Sequence, residues 1–239
     1  EYHTAEENLP TVPLDIATSA GSAVLLEAPG SSVRTLWAQN ADKRRGPAST
    51  TKVMTALVAA EKMPLSTKIT VPKEAVGIEG SSVYLTEGEV FTLEELLCCT
   101  LLESANDAAT AVAIAVGGSI EEFAALMNEK CAELGLVDTH FTNPHGLDDD
   151  DHYTTARDLA KIMDAALKNE DFRRIFCTTH FTVPATNLSD VRYLSTANYL
   201  MSYDEVKVYY DQRVIGGRTG ITEWGYRNLA TLAQSGNME

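Results

Sequence analysis

The sequence predicts a mixed α/β fold of the α+β type, in which an antiparallel sheet built from both chain ends is flanked by helices. Three observations lead to this prediction. Two apolar runs separated by a turn-rich break lie near the start, helical patterns fill the middle, and the end returns to strand-like patterns. A chain of 239 residues has room for one large domain or two closely packed lobes.

The pattern of elements also predicts how the chain is divided. Residues 1–18 are polar and interrupted by prolines, which is typical of a flexible lead-in. The main domain is expected over 19–239, with a sheet lobe at about 19–60 and 178–239 and an inserted helical lobe at about 61–177.

Strands are predicted where β-branched and aromatic residues stand between turn residues. At the start these are "SAVLLEA" and "VRTLWAQN", and at the end they are "HFTVPAT", "VKVYYDQRVIGG" and "YRNLATLAQ". Two shorter extended pieces are expected within "TKITVPKEAVG" and "SSVYLTEGEVF".

Helices are predicted from apolar spacing and from signals at their ends. Pro47 suits the first turn of a helix in "RRGPASTTKVMTALVAAEKM". The segment "TLEELLCCTLLESANDAATAVAIAVGG" should be helical with an interruption near 104–106. Ser119 and Glu122 have the spacing of a capping box at the start of the next helix. A further helix, "TTARDLAKIMDAALKN", is entered through threonines.

Composition argues against several classes of function. The formal charge of -15 argues against nucleic-acid binding, because neutralising phosphates requires clustered Lys and Arg. No apolar run approaches the roughly 18 residues that a membrane span needs. The first ten residues lack the basic start and apolar core of a signal peptide. Cys98 and Cys99 are expected to be buried small hydrophobes, and no C-x-x-C pair supports a zinc or redox site.

The first candidate motif is Ser49-x-x-Lys52 at the head of an apolar helix. Positions i and i+3 share a helix face, so the serine hydroxyl and the lysine amine can meet. A lysine can act as a base when burial or a neighbouring cation lowers its pKa. The alternative is a helix cap followed by a solvated lysine.

The second candidate motif is Ser104-Ala105-Asn106. A hydroxyl and a carboxamide two residues apart project together only where the backbone leaves the regular helix, which could present both to a cleft. The alternative is a simple helix cap. Ser235-Gly236-Asn237 has the same pattern, but it lies in a predicted turn at the chain end and is set aside.

The third candidate motif is Arg218-Thr219-Gly220, within "VIGGRTGIT". An Arg and a Thr at the end of a strand can bind a carboxylate by charge and by hydroxyl. Gly220 would let a peptide lie alongside as an added strand. The alternatives are a phosphate-binding loop, disfavoured because P-loop spacing is missing, and a plain hairpin turn.

The three motifs in this order resemble the penicillin-recognising serine enzymes. The chain is similar to the low-molecular-weight penicillin-binding proteins that are D-alanyl-D-alanine carboxypeptidases of the S11 peptidase family. The resemblance runs from about residue 20 to the end and includes "RRGPASTTKVMTALVA", "LLESANDAATAVA", "NPHGLDDDDHYTTARDLA" and "VIGGRTGIT". It implies a DD-peptidase/β-lactamase-like fold and a hydrolase that needs neither a metal nor another cofactor.

The resemblance also implies a reaction. Ser49 would attack the carbonyl of the penultimate D-alanine of a peptidoglycan stem peptide, and Lys52 would accept the serine proton. Ser104 would relay a proton to the leaving amine, while Asn106 would bind the peptide and orient Lys52. Water would then hydrolyse the acyl-enzyme. β-Lactam antibiotics, which mimic the scissile peptide, should acylate Ser49 as covalent inhibitors.

By the same resemblance, the third motif would hold the substrate. Arg218 and Thr219 would bind the terminal carboxylate, and the backbone N–H groups of Ser49 and Ile221 would form the oxyanion hole. Arg218 departs from the commoner Lys of the family, and because Arg does not readily donate a proton, a proton-relay role at this position is put in doubt. Ala105 replaces a common glycine or aspartate, with little expected effect.

Localisation outside the cytoplasmic membrane follows from the inferred substrate, with membrane association only through segments outside this sequence. In the family, a strand after a turn like "QSGNME" pairs inside the sheet and a further segment follows. We therefore expect the C-terminal part of the protein to be missing here and an intact mass above 25.9 kDa.

Three alternative functions remain open on the sequence. A metal hydrolase could use His140, His145 and His152 with the aspartates of 148–151, although these spacings match no helical ligand pair. A serine β-lactamase needs a glutamate for deacylation, and "FTNPHGLDDDDHYTT" contains none, although one of the aspartates could be argued in its place. A catalytically weak penicillin-binding wall scaffold would acylate but release no D-alanine.

Overall fold

The structure is a computed structural model that describes residues 23–27, 34–202 and 207–235. The lead-in predicted for 1–18 lies outside the described residues. The helices are α1 Lys52–Lys62, α2 Leu93–Leu102, α3 Asn106–Gly117, α4 Ile120–Glu133, α5 Ala156–Leu167 and α6 Glu170–Phe176, with 3-10 turns at Ala48–Thr51 and Lys73–Ala75. The strands are β1 Ala23–Glu27, β2 Arg34–Gln39, β3 Lys68–Thr70, β4 Val90–Thr92, β5 His180–Val183, β6 Arg192–Ser195, β7 Val214–Thr222 and β8 Tyr226–Ala233.

Helix α1 is the centre of the core. Residues 52–59 are buried on every side of this helix, and α1 contacts each of the helices α2 to α6. A helix surrounded by other helices has no solvent-facing stripe, which explains why residues 53–60 are apolar apart from Thr55. Any polar side chain at its start is therefore enclosed by protein.

The predicted helix ends are largely confirmed. The long helical segment breaks between α2 and α3, where Ser104 has a φ of 64°. Ser119 caps α4 by accepting from the Glu122 N–H at 3.1 Å. Thr92 and Glu95 form a complete capping box at α2, which the sequence analysis did not identify. Helix α6 and strand β6 were also not predicted.

The strands pair as antiparallel hairpins, as expected, but the single sheet drawn from both chain ends needs correction. In the described part of the chain, β1–β2, β3–β4, β5–β6 and β7–β8 are four separate two-stranded sheets. Each hairpin satisfies its own ladder of hydrogen bonds. The first and the last hairpin are related through α5, against which both β1 and β8 pack.

The strand predicted to begin at "VKVYY" is also corrected. Residues 207–209 form a turn, and β7 begins only at Val214. The Tyr210 N–H donates to the Lys207 carbonyl across this turn at 3.3 Å. Asp211 organises a second turn directly before β7, because its carboxylate accepts from the backbone and the guanidinium of Arg213, and its carbonyl accepts from the Val214 N–H. These local bonds compete with the ladder that the β-branched and aromatic residues would favour.

Within the described ranges, no single helix is long and apolar enough to cross a membrane. Helices α3 and α4, which are bent by 81° relative to each other, reach the length and apolar composition of a membrane span only when they are counted together.

Candidate active site

The first motif lies at the entrance to the central helix. Pro47 and Ala48 lead into the 3-10 turn that carries Ser49, and Lys52 is the first residue of α1. Lys52 Nζ lies 2.9 Å from Ser49 Oγ, so the contact expected from the i, i+3 spacing is present. The serine is half-buried, whereas Lys52 has no exposed surface. A solvated lysine is therefore excluded at this position.

The amine of Lys52 has two further acceptors. Nζ donates to Asn106 Oδ1 at 2.6 Å and to the carbonyl of His145 at 2.7 Å. A neutral amine has two N–H bonds and one lone pair. With both N–H groups directed to these acceptors, the lone pair is left for the hydroxyl of Ser49.

Burial lowers the pKa of Lys52 well below its ordinary value of 10.5. Removal from water is the largest cause, since it disfavours the ammonium form. The positive charge of Arg218 lowers the pKa further, and the carboxylate of Asp107 acts in the opposite direction. The site therefore favours the neutral amine, which is the form that can accept a proton.

The break between α2 and α3 brings the second motif to the same place. Ser104 adopts the left-handed region, with a φ of 64°, and its hydroxyl donates to Ser49 Oγ at 3.0 Å. Asn106 begins α3, and its carboxamide contacts Lys52. Two hydroxyls and one amine thus form a continuous hydrogen-bonded chain, along which a proton can be passed.

The third motif reaches Ser49 from strand β7. The backbone of Gly220 lies against the Ser49 backbone, since a Cβ at residue 220 would come within 2.8 Å of the Ser49 nitrogen. On the same strand, Thr219 is half-buried and the side chain of Ile221 is 65% exposed.

Arg218 is placed beneath the serine and is only 2% exposed. Its Nε donates to the carbonyl of Ser49 at 3.3 Å and its Nη1 to that of Leu101 at 3.0 Å. Nη2 has no hydrogen-bond partner among the described residues. Burial lowers the pKa of Arg218 to about 10, against the opposing charge of Glu103. The guanidinium thus places a positive charge next to Ser49 and Lys52, and its Nη2 donor is available to bind a ligand.

The loop of residues 143–147 closes the site from another side, and sequence reasoning missed its part. The His145 carbonyl accepts a hydrogen bond from Lys52 Nζ, and the Pro144 carbonyl accepts one from Thr55 Oγ1 at 2.6 Å. Gly146 has a φ of 89°, and a Cβ there would come within 1.9 Å of the Ala48 carbonyl oxygen. The letters "NPHG" predict a turn, but they do not reveal that its carbonyls serve the lysine.

The histidines proposed as metal ligands have other partners. His152 Nδ1 accepts from the Thr142 N–H at 3.1 Å, which leaves Nε2–H to donate to Thr51 Oγ1 at 2.8 Å. His145 Nδ1 accepts from the Leu147 N–H at 3.2 Å. Across the part of the chain that the structure describes, no group of three or more His, Cys, Asp or Glu side chains could hold a metal ion.

The run of four aspartates has a structural connection to β7–β8. Asp148 accepts from Thr222 Oγ1 at 2.6 Å and from the Trp224 N–H at 3.0 Å. It therefore ties the loop that supports Lys52 to the hairpin that contacts Ser49.

Comparison with known proteins places this geometry in a family. The sequence model of the family described as D-alanyl-D-alanine carboxypeptidase, Peptidase_S11, matches residues 6–239. The D-alanyl-D-alanine carboxypeptidase DacF of Bacillus subtilis (strain 168) is 36% identical over 229 residues, which cover 94% of this chain and 56% of the relative. DacA of Escherichia coli (strain K12) is 33% identical over 212 residues, covering 84% of this chain and 50% of the relative. The chain thus spans about half the length of these curated relatives.

Solved structures agree with the family match. The Streptomyces K15 DD-transpeptidase has a TM-score of 0.79 at 30% identity, covering 89% of this chain and 85% of its own. A D-alanyl-D-alanine carboxypeptidase from Mycobacterium tuberculosis H37Rv has a TM-score of 0.80 at 29% identity, covering 91% and 79%. The DD-peptidase fold expected from the sequence is thereby confirmed, and the chain belongs to the D-alanyl-D-alanine carboxypeptidase family S11.

Proposed function

We propose that the protein is a serine-type D-Ala-D-Ala carboxypeptidase that removes the terminal D-alanine from peptidoglycan stem pentapeptides through an acyl-enzyme on Ser49. The observation that carries the proposal is the 2.9 Å contact between Ser49 Oγ and the buried amine of Lys52. A serine is a weak nucleophile at its own pKa and requires an adjacent base. The neutral amine supplies that base.

In the proposed reaction, Ser49 Oγ attacks the carbonyl carbon of the penultimate D-alanine while its proton passes to Lys52. The peptide bond breaks, and the leaving amine of the terminal D-alanine takes a proton through the Ser104 hydroxyl. Water then attacks the ester, and the shortened peptide leaves with Ser49 restored. The Ser49 and Ile221 N–H groups form the oxyanion hole, where one donor typically contributes ~3 kcal/mol.

The substrate carboxylate is assigned to Arg218 and Thr219. The unpartnered Nη2 of Arg218 supports this assignment, because a buried donor without an acceptor is costly and would gain from an anion. Asn106 would contact the substrate amide while holding Lys52. A protein that acts on peptidoglycan works outside the cytoplasmic membrane, and we propose that location here.

A β-lactamase is the less favoured alternative, since it needs a carboxylate free to activate the deacylating water. Asp148, the aspartate of the acidic run nearest the site loop, already accepts from Thr222 and Trp224. β-Lactams are therefore expected to leave a long-lived adduct on Ser49.

The test is mass spectrometry of the protein and of Ser49→Ala after incubation with penicillin G, together with D-alanine release from a synthetic peptide ending in D-Ala-D-Ala. We expect one adduct on the Ser49 peptide of the wild type, none on the variant, and D-alanine release by the wild type alone. An adduct on the variant would overturn the assignment of Ser49. Acylation without D-alanine release would indicate the wall scaffold, and rapid turnover of the β-lactam would indicate a β-lactamase.

A further inference from the structure

A loop that the proposed reaction does not use folds over the start of α3. The backbone N–H of Asn106 donates to the carbonyl of Ser81 at 2.7 Å, and Asn106 Nδ2 donates to the carbonyl of Glu79 at 2.6 Å. The residues 79–85, here named the clamp loop, therefore contact the same carboxamide that contacts Lys52.

This contact determines which way the carboxamide faces. A carbonyl only accepts hydrogen bonds, so the Glu79 carbonyl requires the NH2 end of the amide on its side. The oxygen end must then face Lys52 Nζ, which it meets at 2.6 Å. One of the two Nδ2 protons is used on Glu79, and the second remains available for a substrate carbonyl.

The clamp loop is held in place by Asp107, which has no direct contact with the reacting groups. The Asp107 carboxylate is 1% exposed and accepts from Ser82 Oγ at 2.6 Å, the Leu85 N–H at 3.0 Å and the Val83 N–H at 3.3 Å. A buried carboxylate with three such donors is a firm anchor, because charge-assisted hydrogen bonds are about twice as strong as neutral ones.

Gly80 makes the close approach possible. Its φ is +88°, and a Cβ at residue 80 would stand 2.8 Å from Asn106 Nδ2. Any side chain would push the carboxamide away from the Glu79 carbonyl. Gly77 offers a matched comparison in the segment leading to this loop, because it has a φ of +75° and none of the described residues comes within 4 Å of the position of its Cβ.

We propose that Asp107 and Gly80 are positioning residues for the acylation step, which act through Asn106 to aim its amide oxygen at Lys52. The inference rests on the proposed function. Asp107 fixes the clamp loop, the Glu79 carbonyl fixes the amide, and the amide oxygen fixes the direction of the lysine lone pair.

The decisive comparison is Gly80→Ala against Gly77→Ala, with the acylation rate by a fluorescent penicillin and the melting temperature measured for each protein. Both variants place a Cβ on a residue with positive φ and should lose similar stability. Only Gly80→Ala displaces the amide, so its acylation should fall by about 10- to 100-fold, the cost of misplacing a group by up to 1 Å. Gly77→Ala should acylate close to the wild-type rate.

A double-mutant cycle with Asn106→Ala then tests whether the effect passes through the carboxamide. In the Asn106→Ala background there is no amide to displace, so Gly80→Ala should cause no further loss. Asp107→Asn, which turns one acceptor oxygen into a donor, should behave like Gly80→Ala in both backgrounds at a pH where the rate no longer depends on pH. Under that condition, the direct effect of the Asp107 charge on the pKa of Lys52 does not enter.

Three outcomes are distinguishable. A wild type that neither acylates nor releases D-alanine would refute the proposed function itself. An active wild type with equal acylation in Gly80→Ala and Gly77→Ala would overturn the positioning role. Additive losses in the Asn106→Ala background would also overturn it, because they would show that the loop acts on stability alone.

Discussion

The backbone of Gly220 approaches Ser49 so closely that a Cβ at residue 220 would lie 2.8 Å from the Ser49 nitrogen and 3.0 Å from that of Thr50. Strand β7 and the 3-10 turn are therefore packed backbone against backbone at the proposed nucleophile. This is the position at which an oxyanion hole would combine an N–H from each segment. The close spacing of these two segments is thus possible because residue 220 is a glycine and has no side chain.

We predict that Gly220→Ala lowers the acylation rate by about 10²- to 10³-fold, the loss expected when one oxyanion donor is displaced. The control is Gly216→Ala on the same strand, where the new Cβ would come within 2.7 Å of the Phe176 ring and not near Ser49. Both variants should lower the melting temperature. If acylation falls equally in both, the loss reflects strand stability and the prediction fails.

The charge of Arg218 should extend the proposed reaction to lower pH by favouring the neutral form of Lys52. As the proposed base, Lys52 would act in its neutral form, so the rate should rise with pH through the lysine pKa and be constant above it. Burial is the largest cause that lowers the pKa of Lys52, and the charge of Arg218 lowers it further. In Arg218→Gln the pKa of Lys52 should rise, and the midpoint of kcat/KM against pH should move upward. Arg218→Lys retains a positive charge and should shift the midpoint less. An unchanged midpoint in Arg218→Gln would contradict this electrostatic role.

His152 should make the fold sensitive to acid. Burial lowers its pKa from 6.5 to about 4, and its Nδ1 already accepts from the Thr142 N–H. Between these values the unfolded chain binds more protons, so the stabilisation is complete above pH 6.5 and is lost as the pH falls toward 4. The contribution amounts to about 3 kcal/mol in the free energy of unfolding.

The corresponding measurement is urea unfolding at pH 7.5 and at pH 4.5 for the wild type and His152→Gln. Glutamine can still donate to Thr51 but does not titrate, so the variant should lose less stability on acidification. His145 remains in both proteins, and burial lowers its pKa to about 3, so part of the pH dependence should persist. Equal losses in the two proteins would show that His152 is not the sensitive group.

Asp148 should stabilise the fold rather than take part in the chemistry. Its carboxylate accepts hydrogen bonds from Thr222 and Trp224. Hydrogen bonds to a charged group contribute roughly 1.5–3 kcal/mol each, and partial exposure of the carboxylate to water reduces this contribution. We expect Asp148→Ala to cost about 2 kcal/mol in unfolding free energy, and the exposed Asp150→Ala to cost almost nothing. Chemical denaturation of both variants provides the check, and similar values would remove the connecting role of Asp148.

The contacts that could be read from the sequence are those between side chains with a fixed spacing. Ser49 and Lys52 are three residues apart on one helix entrance, and the break at Ser104 is marked by polar residues inside an apolar helix. The carbonyls of Glu79 and His145 could not be found in this way. Every residue has a carbonyl, so a backbone acceptor leaves no mark in residue type.

The fold shows the same division. Long periodic segments such as α4 and α5 were predicted, whereas α6 has only seven residues, too few for a helical period to be recognised. Length does not explain why β6 was missed, because β5 also has four residues and was predicted. The expected role of Arg218 in holding a ligand stays a prediction, but its contacts with the Ser49 and Leu101 carbonyls could not be predicted, since its direction depends on how β7 packs against the 3-10 turn. The run of Val and Tyr before β7 favours a strand by composition, but local hydrogen bonds form turns there, one from the Tyr210 N–H to the Lys207 carbonyl and another around Asp211.

The groups around Lys52 come from distant parts of the sequence, so the stage of folding determines when this lysine acquires its buried environment. The serine and the lysine share one turn, but the His145 carbonyl comes from 93 residues further along the chain, and Arg218 lies 169 residues beyond Ser49. Contacts between residues so far apart in the sequence are expected to form late in folding, because bringing them together costs the conformational entropy of the intervening chain. A nascent or partly unfolded chain would keep this lysine hydrated and charged as an ordinary ammonium ion. By the proposed function, chemical competence would therefore be acquired only with completion of the native topology.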